Sequence, residues 1–393
     1  MKDTGKKKIQ VLWLSDLVAP TGWSRVAHAI IKYLPKDEFE VTGLGVNYFG
    51  DPHPYDFPIY PASSGVHGDI YGFSRLEGIL KTKRFDLIYI LNDIWVIKEY
   101  LKKLESLKLD YKPAISIYFP IDSENHDPDW YSNIPMVDKA VVYTNFGKEV
   151  AEKALPGFPF EIISHGVDQT DFYPVDRTLA RKTIFKNPEL EEAFIFLNAN
   201  RNQPRKRLEL TMEAFKLFSE NKPNNVLIYM HCGTMDADLK ITNLAERLGI
   251  SKRLIVTSFK TGIQTVPVEK LNLIYNSCDV GANSGLGEGF GLCNVEHASV
   301  GKPQIVPDSS SCTELFQDCG LLVKNGDPFI QSKIMTTGVL LHPTDIADCM
   351  ERLYTDKELY NDLSKKSIEK FSSETYNWKA ISKIWADLFR SIL

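Results

Sequence analysis

The chain has 393 residues, 43% of them apolar and 25% charged, which exceeds one ordinary core and fits two domains of roughly 150–200 residues each. A net charge of −5 gives no general attraction to nucleic acid. No run approaches the ~18–20 apolar residues of a membrane span.

The lysine-rich start, MKDTGKKKIQ, precedes VLWLSDLV. Gln10, Ser15 and Asp16 interrupt that apolar run, so a first buried strand is expected rather than a signal peptide. Six cysteines (Cys232, Cys278, Cys293, Cys312, Cys319, Cys349) all lie in the second half without a C-x-x-C pair, so reduced thiols, in the core or near the site, and a cytoplasmic location are expected.

Residues 9–15 form the first strand and Ala19 to Ser24 the loop after it; a helix runs from about Arg25 to Tyr33. Gly22 in that loop is either an anion-friendly turn ahead of a helix N-terminus or an ordinary strand–helix connection. FEVTGLGVNYF is the second strand. From Gly50 to Gly72 the chain is rich in Pro, Gly and aromatics and reads as a structured loop. FDLIYILND and AISIYFPID are continuous apolar strands of the kind parallel sheets bury. They end in Asn92, Asp93 and Asp122, at the strand ends where α/β proteins place ligands. The helix around Val96–Leu107 carries lysines on one side, either a solvated face or a membrane-surface contact. DKAVVYTN, a helix over 146–154 and FEIISHGVD complete the first half.

The alternation restarts at AFIFLNAN, followed by a turn with Pro204 and a helix bearing Leu208, Met212, Phe215 and Leu217. Arg201 and Lys206 flank that turn and can converge on one diphosphate, the arginine by a bidentate fork and the lysine as a point charge. Strands follow at 225–233 and 253–259, and GLLV (320–323) is the last expected strand. From Pro343 the pattern is helical and ends in an apolar stripe of Ile381, Ile384, Trp385, Leu388 and Phe389. The pairs Asp127-x-Asp129 and Asp236-x-Asp238 read as turn and helix-cap residues before metal ligands.

The stretch DVGANSGLGEGFGLCNVEHASVGK, Asp279 to Lys302, concentrates the chemistry. A short strand turns through Ser284, Gly285 and Gly287, Glu288 stands among small residues, and a helix begins after Gly291 and closes at Gly301. A helix N-terminus with free N–H groups suits a diphosphate; Glu296, about two turns in, can accept from vicinal hydroxyls.

The Glu288-to-Glu296 spacing resembles the E-x7-E signature of retaining GT-B glycosyltransferases of the family 4 (group 1) type, and Arg201 with Lys206 is similar to their R-x4-K pair. The segment His165-Gly166-Val167-Asp168 with Phe172 and Pro174 resembles their interdomain crossing. The resemblance implies an α/β fold of two doubly wound, Rossmann-like domains facing across a cleft. Residues 1–172 would be the acceptor-side domain, with a terminal helix at about 376–393 packing back on it, and 173–375 the donor domain. It implies transfer of a sugar from a UDP- or GDP-sugar to a glycan, glycolipid or other hydroxyl, with retention. Glu288 would hold the sugar and help stabilise the oxocarbenium-like state, and Glu296 would bind the ribose. Arg201, Lys206 and the backbone at Phe290, Gly291 and Leu292 would meet the diphosphate, so no metal or other cofactor would be needed. Ser258 and Phe259 follow the strand whose loop touches the nucleobase in the family. Gly22 occupies the loop that approaches the donor phosphate, with Trp23 and Ser24 on the acceptor side; Trp23 stands where the family has a second glycine. The family's sugar-facing histidine is absent, and its neighbourhood here is Tyr118 to Asp122, with His126 four residues on; Asp122 either takes over that role or forms a turn. The expected partners are thus a nucleotide sugar and a carbohydrate-type acceptor, with at most peripheral membrane contact. A nucleotide-sugar epimerase or hydrolase, or a non-catalytic sugar-nucleotide-binding protein, are the alternatives.

Overall fold

The computed structural model describes residues 7–63, 68–236, 239–258, 262 and 264–393. They form two compact units: the first holds the chain to Ile121, His126–His165 and Trp378–Leu393, the second Asp122–Asn125 and Gly166–Asn377. Phe259 and Asp238 lie outside the described residues. Among those described, no helix is long and apolar enough to cross a membrane.

The first unit is built as β1 (Ile9–Asp16), α1 (Gly22–Tyr33), β2 (Phe39–Val46), β3 (Ile59–Pro61), α2 (Phe73–Thr82), β4 (Leu87–Leu91), α3 (Ile94–Ser106), β5 (Ala114–Phe119), β6 (Lys139–Val142), α4 (Asn145–Ala154) and β7 (Glu161–Ile162). The strands form one parallel sheet in the order β3-β2-β1-β4-β5-β6-β7. Alternate side chains point to opposite faces. Leu12, Leu14, Ile88, Ile90 and Ile117 therefore meet Leu76, Ile97, Leu101 and Val150 in one aliphatic layer. Trp13, Tyr89 and Tyr118 take the other face.

The second unit continues with α5 (Arg177–Phe185), β8 (Phe194–Asn198), α6 (Leu208–Ser219), β9 (Val226–Met230), α7 (Ile241–Leu248), β10 (Leu254–Val256), α8 (Val268–Ser277) and β11 (Val280–Ala282). Then come α9 (Leu292–Ser299), β12 (Gln304–Pro307), α10 (Ser310–Phe316), β13 (Leu321–Val323), β14 (Gly326–Gln331), β15 (Thr336–Leu341), α11 (Pro343–Thr355) and α12 (Lys357–Phe371). Its parallel sheet runs β10-β9-β8-β11-β12-β13, while β14 and β15 make a separate antiparallel hairpin. The last helix, α13 (Trp378–Ser391), belongs to the first unit and lays Trp385 against Tyr89 and Tyr118, with ring centroids 5.1 and 4.8 Å away. Ser382 of α13 donates to the Ile30 carbonyl at 3.1 Å, and Arg390 forks onto Glu38.

Several elements depart from the sequence reading. α1 begins at Gly22, so Gly22, Trp23 and Ser24 form its first turn; the cap is Thr21, whose hydroxyl oxygen accepts from Ser24 N–H. The 50–72 loop contains β3, an edge strand ending in proline, the position where a missing N–H is tolerated. α2 was not expected, because its apolar residues Leu76, Ile79 and Leu80 are few and follow a glycine-rich loop. GLLV is not the last strand: β14 and β15 follow, concealed in the sequence by Pro328, Gly326 and Gly338. On α3 the lysines are not uniformly solvated, since Lys98 is buried and paired with Asp129.

Candidate functional site

In each parallel sheet the strand order reverses once, between β1 and β4 in the first unit and between β8 and β11 in the second. Ligands of such sheets sit beyond the carboxyl ends of the strands at that reversal. In the second unit β8 runs out at Asn198 towards Arg201, and β11 at Ala282 towards Glu288. The topology therefore brings the turn of Arg201 and Lys206 and the loop of Glu288 to the same end of the second sheet.

Glu288 is buried and receives the Lys206 ammonium and, at 2.9 Å, the Asn283 amide. Burial alone would raise its carboxyl; the nearby Lys206 and Arg205 charges and these hydrogen bonds overcome that and hold it below the usual carboxylate range. Its backbone is fixed as well. Its N–H donates to Ser310 Oγ at 2.9 Å, and its carbonyl accepts from Ser311 Oγ at 2.7 Å. Ser310 adopts φ 52°, a conformation costly for a serine, and thereby carries its hydroxyl to Glu288.

The helix behind the glutamate begins as the sequence indicates. Gly291, at φ 80°, is the N-cap of α9 and supplies no side-chain cap, leaving the first turn open to an anion. Phe290 is buried, and Leu292 is half-buried. Glu296 is buried within α9 and accepts from the Tyr275 hydroxyl at 2.9 Å. Cys293, in the first turn, lies 3.5 Å from Asn200, the neighbour of Arg201, so the turn after β8 abuts this helix.

Arg201 is held by Asp236 through Nε and Nη2, at 2.5 and 3.2 Å. The expected helix-cap role of Asp236 is thus corrected: α7 starts only at Ile241, and Asp236 is an arginine partner. Asp127 does cap a turn, accepting from Asp129 N–H. Asp122 belongs to the second unit, where Arg205 donates to it at 3.2 Å. Its carbonyl oxygen presses on Gly287, where an added Cβ would stand 1.8 Å away. Glu124 pairs with Thr337 of β15 through two backbone hydrogen bonds of 2.9 Å. Ser258 follows β10 and donates to Gln264 at 2.7 Å.

In the first unit, Trp23 is half-buried. Ser24 is buried and donates to the Leu17 carbonyl. His126 lies buried with Nδ1 2.9 Å from the Tyr131 hydroxyl and its ring against Trp130. At the strand end, Asp16 accepts from Thr21 at 2.7 Å and from Asn47 at 3.0 Å.

Sequence reasoning missed Asn283, Asn294, Gln304, His297, Tyr275, Ser310 and Ser311. One signal was available: Gln304 opens the otherwise apolar QIVP of β12 and is fully buried, and a polar group so placed needs partners.

Residues 180–370 match the family model described as "Glycosyl transferases group 1". YtcC of Bacillus subtilis (strain 168), whose name assigns it provisionally to the glycosyltransferases, is 21% identical over 324 residues, 78% of this chain and 74% of its own. Among solved structures, a sucrose-phosphate synthase from Thermosynechococcus elongatus superposes with a TM-score of 0.73 at 15% identity, covering 98% of this chain and 99% of its own. Anabaena Alr3699/HepE, solved with UDP and glucose, gives 0.70 at 15% identity, covering 98% of this chain and 100% of its own. These likenesses at low identity establish the fold, two parallel-sheet α/β units of the GT-B class.

Proposed function

We propose that this chain, whose residues 180–370 match the family model of the glycosyl transferases group 1, moves a sugar from a UDP- or GDP-sugar to a hydroxyl of a glycan, glycolipid or other acceptor, with retention and without a divalent metal. The observation that carries this reading is the buried Glu288–Lys206 pair beside the uncapped start of α9.

In the proposed step the bond between the anomeric carbon and the diphosphate oxygen breaks, and the electron pair leaves with the diphosphate. Lys206, Arg201 and the backbone N–H groups after Gly291 answer that charge as positioned donors. Glu288, ionised and pinned at backbone and side chain, holds the sugar hydroxyls and stabilises positive charge at the anomeric carbon. The acceptor oxygen forms the new bond on the same face, and its proton passes to the departing phosphate oxygen. Glu296 holds the ribose hydroxyls, and Ser258 contacts the base. Asp122 faces the transferred sugar. Gly22 lies by the donor phosphate; Trp23, Ser24 and His126 shape the acceptor side, the last two with polar atoms turned inward. The six cysteines are free, five of them buried, in keeping with a reducing, cytoplasmic setting.

The test is a panel of UDP-, GDP- and ADP-sugars with and without EDTA, followed by anomeric assignment of the product by NMR. One donor consumed at an unchanged rate in EDTA, giving a product of retained configuration, is expected. Donor breakdown that no added acceptor accelerates would identify a hydrolase instead.

A further inference from the structure

Below the two glutamates runs a side-chain chain that no sequence motif announced. Asn283 donates one amide hydrogen to Glu288 and the other to Asn294 Oδ1, both at 2.9 Å. Asn294 donates to Gln304 Oε1 at 2.9 Å, and Gln304 Nε2 donates to His297 Nδ1 at 3.1 Å. His297 Nε2 in turn donates to the Tyr275 carbonyl at 3.1 Å, and the Tyr275 hydroxyl donates to Glu296. Every member is buried.

From Asn283 to the Tyr275 carbonyl each group donates to the next, so the bonds polarise one another in a site of low dielectric. Gln304 Nε2 can only donate, which makes His297 Nδ1 the acceptor and Nε2 the protonated nitrogen. Burial pushes that imidazole down to about 3, so it stays neutral and the direction of the chain is constant around neutral pH. The backbone is shaped to admit the chain: a Cβ on Gly281 would stand 2.0 Å from Gln304 Oε1. A glycine of β11 set against a glutamine of β12, in two otherwise apolar neighbouring strands, maintains a polar link and not only packing.

We infer that Asn294, Gln304 and His297 are positioning residues that lock Glu288 and Glu296 into one rigid body, so that the nucleoside end and the sugar end of the donor are held in a single register. This inference rests on the roles proposed above for the two glutamates. It separates the chain from an ordinary core network by requiring that damage in its middle be felt at both ends.

The experiment uses the full chain with whichever of UDP-, GDP- and ADP-glucose the wild type turns over fastest, and the matching nucleoside diphosphate for affinity. Gln304→Met is expected to weaken nucleotide binding and to lower kcat, each at least fivefold, while unfolding stays cooperative. His297→Leu is expected to do the same. The double variant should be no worse than either single change, because both cut one chain. Additive losses, or a loss confined to kcat or to affinity alone, would overturn the inference. If Gln304→Met does not fold, Asn294→Asp, of equal size, breaks the same link by setting two acceptors face to face, and the same criteria apply. Glu288→Gln and Glu296→Ala are run alongside. If neither changes kcat or affinity, or if the wild type turns over none of the three donors, the functional reading itself has failed, whereas effects there with none at Gln304 sink only the coupling.

Discussion

Each unit carries a strand, a turn and a helix at the reversal of its sheet, β1 to α1 in the first and β11 to α9 in the second, and the two finish differently. In the first, Thr21 caps α1 with its own hydroxyl, and Asp16 is occupied by Thr21 and Asn47. In the second, Gly291 leaves α9 without a side-chain cap, and the carboxylate of Glu288 is held by buried Lys206 and by the Asn283 amide. At the reversal of the two sheets, one helix start is thus satisfied from within and the other is left without a side-chain cap. Side-chain support, rather than fold class, separates the two helix starts.

The sharpest way to break this comparison is Glu288→Gln, which keeps the shape and removes the charge. Transfer is expected to fall by at least about 10³, while nucleotide affinity, measured by calorimetry, changes less than about twofold. Near-normal turnover would remove Glu288 from the chemistry.

The ion pairs of the two units offer the next contrast. Lys206→Met leaves a buried carboxylate without its cation and is expected to cost about 3–5 kcal/mol in denaturant unfolding. Lys98→Met in the first unit leaves Asp129, whose side chain is 68% exposed, in water, and should cost under about 1 kcal/mol. Equal losses would show that burial of the acid is not what distinguishes them.

Acid should weaken both units. Burial pushes His165 and His297 down to about 3 from an ordinary 6.5. Below pH 6.5 the unfolded chain takes up protons that the folded one refuses, so stability is complete above that pH and is lost as pH falls towards 3. The slope is about 1.4 kcal/mol per pH unit for each histidine. His165→Phe and His297→Gln should each flatten the pH dependence of unfolding; an unchanged slope would show that the histidine is charged in the fold.

Two glycines give a smaller contrast. Gly287→Ala forces a methyl against the Asp122 carbonyl and is expected to cost about 1–3 kcal/mol and to slow transfer. Gly22→Ala, at a helical position of α1 without a positive φ, should be neutral or stabilising by a few tenths of a kcal/mol. Thr21→Ala, which removes the cap of α1, should cost about 1 kcal/mol by thermal unfolding.

Much of this molecule was legible in its residues. Continuous apolar strands such as LIYIL and VLIYM alternate with amphipathic helices, and burial on both faces of a parallel sheet requires that pattern. Gly287 and Gly291 marked the loop and the helix start, the first because an added Cβ would meet the Asp122 carbonyl and the second because it takes φ 80°. Local sequence determined most of the parallel strands and their helices, and the uncapped start of α9. It did not determine the side-chain partners. Asp236 for Arg201, Ser310 for the Glu288 N–H, and Gln304 for Asn294 come from distant elements, and only the three-dimensional fold decides which buried donor meets which buried acceptor. The hairpin of β14 and β15 was decided the same way, since its strands pair with each other rather than obeying an apolar period.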